Sequence, residues 1–334
     1  SDVDAALNGR ELSVNETILS GDIGTTGDIS DNAYHVLAFN GGDRIGADIT
    51  ENITGATVLD GVTVTDGNAS GSSNIDRSGG GLYCDGGNSG NACSPQITRA
   101  TFTDNRADDR GGAIYNQGNS GGTSSPQITR VTFTGNSAGR DGGAIYNDGI
   151  QGASSPQITS AIFDSNSADD SGGAIYNRAN SNGASSPQIT NAVFTGNSAG
   201  EGGAVYNSAP FGGESSPRII SSTFTGNSAS GNGGAMYNST FSGGESSPQL
   251  TNVILWGNSA TGDGSEIYNE AATPTLSYTL IEGSAGGNGI FDDSNSETTY
   301  SGDNLEDDAP RFANANDPAG TDGTFGTEDD GLRL

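Results

Sequence analysis

One block of about thirty residues is written six times in succession, and that repeat limits the fold more than any other feature. Each copy runs SPQIT, then FTGNSA, then GGAIYN or a close variant. The stretch SPQITNAVFTGNSAGEGGAVYN, Ser186 to Asn207, is the clearest example. The prolines fall at Pro95, Pro126, Pro156, Pro187, Pro217 and Pro248, spaced 31, 30, 31, 30 and 31 residues apart. Repetition this strict points to stacked structural units, each in contact only with its neighbours.

Apolar residues recur in three columns: Ile97 to Leu250, Phe102 to Leu255, and Ile114 to Ile267. Two places before each Phe stands a small or apolar residue, such as Ala100 or Val131, which is the period-2 signature of a strand with one buried face. The runs are too short for helices and are punctuated by Gly, Pro, Ser and Asn. One copy alone cannot bury a core. Stacked copies can, if each strand pairs in parallel with the same strand one copy on, about 4.8 Å away. The expected fold is therefore all-β: a right-handed parallel β-helix, or solenoid, with three short strands per coil of about thirty residues. Residues 1–55 read as degenerate N-terminal coils or a cap, 56–282 as the regular helix, and 283–334 as a last coil followed by an Asp/Gly-rich loop. The insertion GSSNIDRS near residue 75 is expected to protrude.

Two asparagine columns flank the strands. One holds Asn105, Asn136, Asn166, Asn197, Asn227 and Asn258; the other holds Asn116, Asn147, Asn177, Asn207, Asn238 and Asn269. Stacked amides can hydrogen-bond along the axis, so both columns are expected to form ladders at corners of the coil. Tyr115, Tyr146, Tyr176, Tyr206 and Tyr237 each follow an inward apolar residue, so alternation turns them outward as a candidate binding face. Cys84 and Cys93 bracket a loop of small polar residues and are expected to pair, which implies an oxidising exterior.

GGAIYN with FTGN, repeated from about residue 79 to 269, resembles the GGA(I/L/V) and FxxN repeats of the polymorphic outer membrane protein family. That resemblance implies a right-handed β-helix, exposure at a bacterial surface and often adhesion. The flanks resemble those of large secreted bacterial β-helix proteins. In the last stretch, Asp317, Asp322, Asp329 and Asp330 sit among Gly-rich turns, where hard oxygen ligands on a flexible loop suit Ca²⁺. Calcium is accordingly the one cofactor expected, with a similar tail in the resembling proteins adding weight.

The net charge of −29, with twelve arginines and no lysine, disfavours nucleic acid and anionic membranes as partners. No apolar run has the length of a membrane-spanning helix, so no membrane insertion by this chain is expected. No catalytic residues are assigned: acids do not cluster on the strands, and the single histidine, His35, has no nucleophile pattern around it. The densest charged group, Asp104, Arg106, Asp108, Asp109 and Arg110, reads as a solvated turn with local ion pairs. The expected function is a non-catalytic extracellular or cell-surface protein, acting as a structural stalk or adhesin. Its partners would be a protein or carbohydrate at a surface, or copies of itself. The alternatives are a self-assembling filament or sheath subunit, and a polysaccharide lyase or glycosidase on the same fold.

Overall fold

The computed structural model describes residues 16–40, 52–283 and 289–306. They form one parallel β-solenoid, with no α-helix among them; a short 3-10 turn at Ile29–Asp31 is the sole helical element described. Every paired strand is parallel to its equivalent in the next coil, and the three apolar columns fall in register. Ile128 pairs between Ile97 and Ile158, Phe163 between Phe133 and Phe194, and Ile175 between Ile145 and Val205. All three columns are wholly buried from Ile97 to Ile267. The phenylalanines stack ring on ring, with centroids 4.4 to 5.3 Å apart from Phe102 to Phe224. That separation is set by the spacing of paired strands, so identical residues in consecutive coils meet face to face.

Each regular coil contributes four strands, where three were expected. In one copy these are Gln188–Thr190, Val193–Thr195, Ser198–Ala199 and Val205–Pro210. The extra strand is a two-residue pair just after the Phe strand's turn, and seven such pairs form a sheet of their own: five Ser-Ala, with Asn68–Ala69 and Arg106–Ala107 before them. Two residues carry no readable alternation, which is why the pattern does not announce them. The last strand is also longer than its motif. In four coils it runs six residues, as in Ile145–Ile150 and Met236–Phe241, through what reads as loop in the sequence.

Corners are made by single residues in the left-handed backbone region. Arg99, Arg130, Ser160, Asn191, Ser221 and Asn252 turn the chain out of the Gln-Ile-Thr sheet, with φ between 49 and 55°. In the GGA copies, the corner before the Tyr strand needs both of its glycines. Gly142 has φ +67°, and a Cβ there would lie 2.5 Å from the Ile145 carbonyl oxygen. A Cβ on Gly143 would lie 2.2 Å from the Gly173 carbonyl oxygen in the next coil. Neither contact is tolerable, so the GG pair is fixed by close approach of backbones.

The regular coils continue at both ends. Thr17–Ser20 and Leu37–Asn40 pair with Val62–Thr65 and Leu82–Asp85, which makes residues 16–40 a preceding coil. Ile290–Asp292, Thr299–Ser301 and Leu305–Glu306 extend three sheets at the other end. The insertion near residue 75 does not simply protrude: Ile75 is partly buried against the cluster of Tyr83, Tyr115 and Tyr146.

Candidate binding surface

The interior of the tube is closed by polar ladders as well as by apolar packing. Along the first asparagine column, each Nδ2 donates to the next Oδ1 at 2.8 to 3.1 Å. From Asn136 onward each Nδ2 also donates back to a phenylalanine carbonyl of the preceding coil. The second column repeats the device at 2.8 Å per rung. It does not lie at a corner. Asn116 and its equivalents are the third residues of the Tyr strands and face inward between apolar neighbours. Fully buried amides must be satisfied, and stacking identical ones satisfies them along the axis.

Both ladders donate in one direction and both end on a carboxylate. Asn258 donates through Nδ2 at 2.5 Å and through its backbone N–H at 3.3 Å to Glu266. Glu266 occupies the position filled by Ala113, Ala144, Ala174, Ala204 and Ala235 in earlier copies, and it is completely buried. Burial pushes its carboxyl up to about 8, against the two hydrogen bonds that favour the ion. Asn269 donates to Asp292 at 2.7 Å. A third set was not anticipated. The serines before each proline form ladders too, Ser154 Oγ donating to the Ser124 carbonyl and Ser185 Oγ to the Ser154 carbonyl, both at 3.1 Å. The SSP spelling in five of the six copies was the available signal.

The tyrosines are not an open face. Their rings stack continuously from Tyr83 to Tyr268, with centroids 4.7 to 5.3 Å apart. His35 abuts one end and Phe291 the other. Tyr115, Tyr146 and Tyr237 are buried, and Tyr176 and Tyr206 half-buried. The rings do point outward from the sheet, but each covers the faces of its neighbours, and the adjoining corner covers part of their edges. Arg110 lies 5.3 Å over the Tyr146 ring. Each hydroxyl engages the next coil: Tyr115 donates to Asp148 at 2.8 Å, and Tyr237 to Glu270 at 3.1 Å. Burial raises Tyr115 and Tyr146 well above the ordinary phenol value and Tyr176 to about 12.

The charged corner is an inter-coil network. Arg110 pairs with Asp109 at 3.1 Å and Asp141 at 3.4 Å; Arg140 pairs with Asp109 at 3.3 Å and Asp170 at 3.4 Å. Its acids are therefore occupied in tying coils together. Arg106 pairs with Asp108 in the same turn. Cys84 and Cys93 form a disulfide with both residues buried, Cys84 standing one coil before Asn116 at the head of the second ladder. His35 donates to the Gly79 carbonyl through Nδ1–H at 2.9 Å, and burial lowers its pKa. Asp317, Asp322, Asp329 and Asp330 lie outside the described residues. Among the described residues no group of three or more His, Cys, Asp or Glu could hold a metal, and no helix is long and apolar enough to cross a membrane.

The loop corner that follows the fourth and fifth copies is different in kind. Phe211 and Phe241 are 54 and 52% exposed and pack edge to face, centroids 5.0 Å apart at 80°. From Pro95 to Asn269 they are the exposed large apolar side chains among the described residues. Phe211 takes a left-handed backbone, φ +52°, where other coils place Ser120, Gln151, Ser181 and Ser242. Glu214 and Glu245, both exposed, face each other across the same two coils.

Compared with known families, residues 99–117, 130–148, 160–178, 191–208 and 221–243 each match the Chlamydia polymorphic membrane protein repeat. The chain carries polymorphic membrane protein repeats. Each match starts at the corner before a Phe strand and takes in the Tyr strand, so the repeat unit covers the Phe column, the first ladder and the glycine corner together. Neither a curated protein nor a solved structure matches the chain. The repeats imply a bacterial surface protein of the autotransporter-like β-helix kind.

Proposed function

We propose that this polymorphic-membrane-protein-type solenoid is a non-catalytic stalk and adhesin at a bacterial surface, holding one loop corner away from the cell. The observation that carries the reading is the Phe211–Phe241 pair. A regular tube clothed in Gly, Ser, Thr and Gln breaks that pattern inside its repeats with two adjacent, half-exposed aromatic rings. A bulky residue in the left-handed region costs on the order of 1–3 kcal/mol. At Phe211 that cost is borne by a ring left 54% exposed, which favours selection for what the ring does outside the fold. The stalk role rests on continuity: ladders and apolar columns run unbroken through the regular coils, so the corner is carried on one stiff body.

The partner is a protein or carbohydrate surface able to pack against aromatic rings. The test couples the purified chain to beads and measures their retention on bacterial cells, on immobilised polysaccharide and on protein-coated surfaces. Replacing both Phe211 and Phe241 by Ser is expected to abolish retention while leaving the melting temperature unchanged. Retention that survives the double substitution would remove the pair from the adhesive role.

A further inference from the structure

The outward tyrosines remain to be explained by more than packing. The core phenylalanine column shows that stacking alone needs no hydroxyl. In the tyrosine column the hydroxyls meet groups of unequal character. Tyr115 donates to the Asp148 carboxylate and Tyr237 to the Glu270 carboxylate. Tyr146 lies between and is treated in the opposite way: Arg178 donates to its oxygen at 3.5 Å, and Arg110 sits over its ring. A phenol is oxidised readily when its proton has an acceptor in place. It is oxidised with difficulty when cations face it.

We propose that the stack is a one-electron relay, in which oxidising equivalents entering from an outer-sphere one-electron oxidant migrate along the touching rings and are held as neutral tyrosyl radicals at Tyr115 and Tyr237. Entry is at the less buried, C-terminal end, through the half-buried Tyr268. At Tyr237 the step balances as follows: the oxidant gains one electron, the phenol loses one electron and its hydroxyl proton, and the Glu270 carboxylate takes that proton. Asp148 takes the proton of Tyr115 in the same way. Tyr146, under two guanidinium groups, passes the vacancy without holding it. The relay thus has two resting places separated by three rings, Tyr146, Tyr176 and Tyr206, with no centroid gap above 5.3 Å.

The chain has ten tyrosines, seven in the stack, so the remaining three can be removed cleanly. The test uses a chain with Tyr34→Phe, Tyr278→Phe, Tyr300→Phe and Trp256→Phe, and ruthenium(III) tris-bipyridyl generated by flash-quench in solution. Electron paramagnetic resonance is expected to record a long-lived tyrosyl signal in that chain. Adding Asp148→Asn and Glu270→Gln, which keep side-chain shape, is expected to remove most of it. With Tyr176→Leu breaking ring contact, the radical is confined to Tyr237, and Asp148→Asn then has no further effect. Circular dichroism and melting establish that each variant is folded. Absence of the signal in the four-substitution chain overturns the relay without recourse to any acid variant. A signal indifferent to both acid substitutions overturns the assignment of Tyr115 and Tyr237.

Discussion

Glu266 gives the sharpest test of how the tube is held together. Its carboxyl is completely buried and is raised from 4.5 to about 8, with burial the largest cause. In the unfolded chain the group ionises near 4.5. Between that pH and about 8 the unfolded state has released a proton that the folded state still holds. Stability therefore falls as pH rises through this window, by about 1.4 kcal/mol per pH unit. Across the window the loss is about 5 kcal/mol, and it is complete above about pH 8. Glu266→Gln keeps an acceptor for Asn258 Nδ2 and cannot ionise. The assay is guanidinium unfolding of both proteins at about pH 5 and about pH 9, with hydrogen exchange along Ile254–Trp256 and Ile267–Glu270 to read the coils that Glu266 joins. The variant is expected to match the natural chain at the lower pH and to exceed it by several kcal/mol at the higher. Parallel pH profiles for the two proteins would refute the reasoning, since every other titrating group is common to both.

Phe163→Ala removes a ring packed between Phe133 and Phe194 and is expected to cost about 3–5 kcal/mol in denaturant unfolding; under about 1 kcal/mol would mean the column does not close-pack. Asn197→Ala strips the acceptor from both the backbone N–H and Nδ2 of Asn166, so two buried donors are stranded, at a cost of at least about 2 kcal/mol. Asn197→Asp keeps an acceptor for Asn166 and, when protonated, a donor, so it should be milder than the alanine variant at acid pH and lose that advantage as it ionises, if the ladder rather than volume sets the cost. For Asp317, Asp322, Asp329 and Asp330, millimolar Ca²⁺ added after chelation is expected to raise the melting temperature of the whole chain but not of one ending at Arg311; an equal rise in both would place any metal elsewhere.

The repeat made the fold legible because a solenoid prints its register directly into sequence. Ile97, Ile128 and Ile158 must be alike for the same reason that they stack. What was illegible is equally physical. Alternation tells on which side of a strand Tyr146 lies, but not whether Arg110 and two neighbouring rings will cover that side. The Ser198–Ala199 strand is too short to show a period, and the strand Ile145–Ile150 runs on into Asp148 and Gly149, which read as loop. The role of Glu266 was marked, though only by contrast: GSEIYN replaces GGAIYN, putting an acid in a column of alanines. The phenylalanine pair was visible as two aromatics among Gly and Ser, while its edge-to-face contact and its left-handed Phe211 required the folded chain.

The one-way ladders also bear on how such a chain can change its length. A copy inserted anywhere between Asn105 and Asn258 accepts from the copy before it and donates to the copy after it, so duplication or loss of a whole repeat leaves no amide stranded. The two terminating acids are not interchangeable with the units they close. Glu266 and Asp292 must follow whatever the last copy happens to be. Recombination within the repeats would then yield tubes of different reach that all end the same way, as a zip fastener can be made in any length but has its stop at one end only.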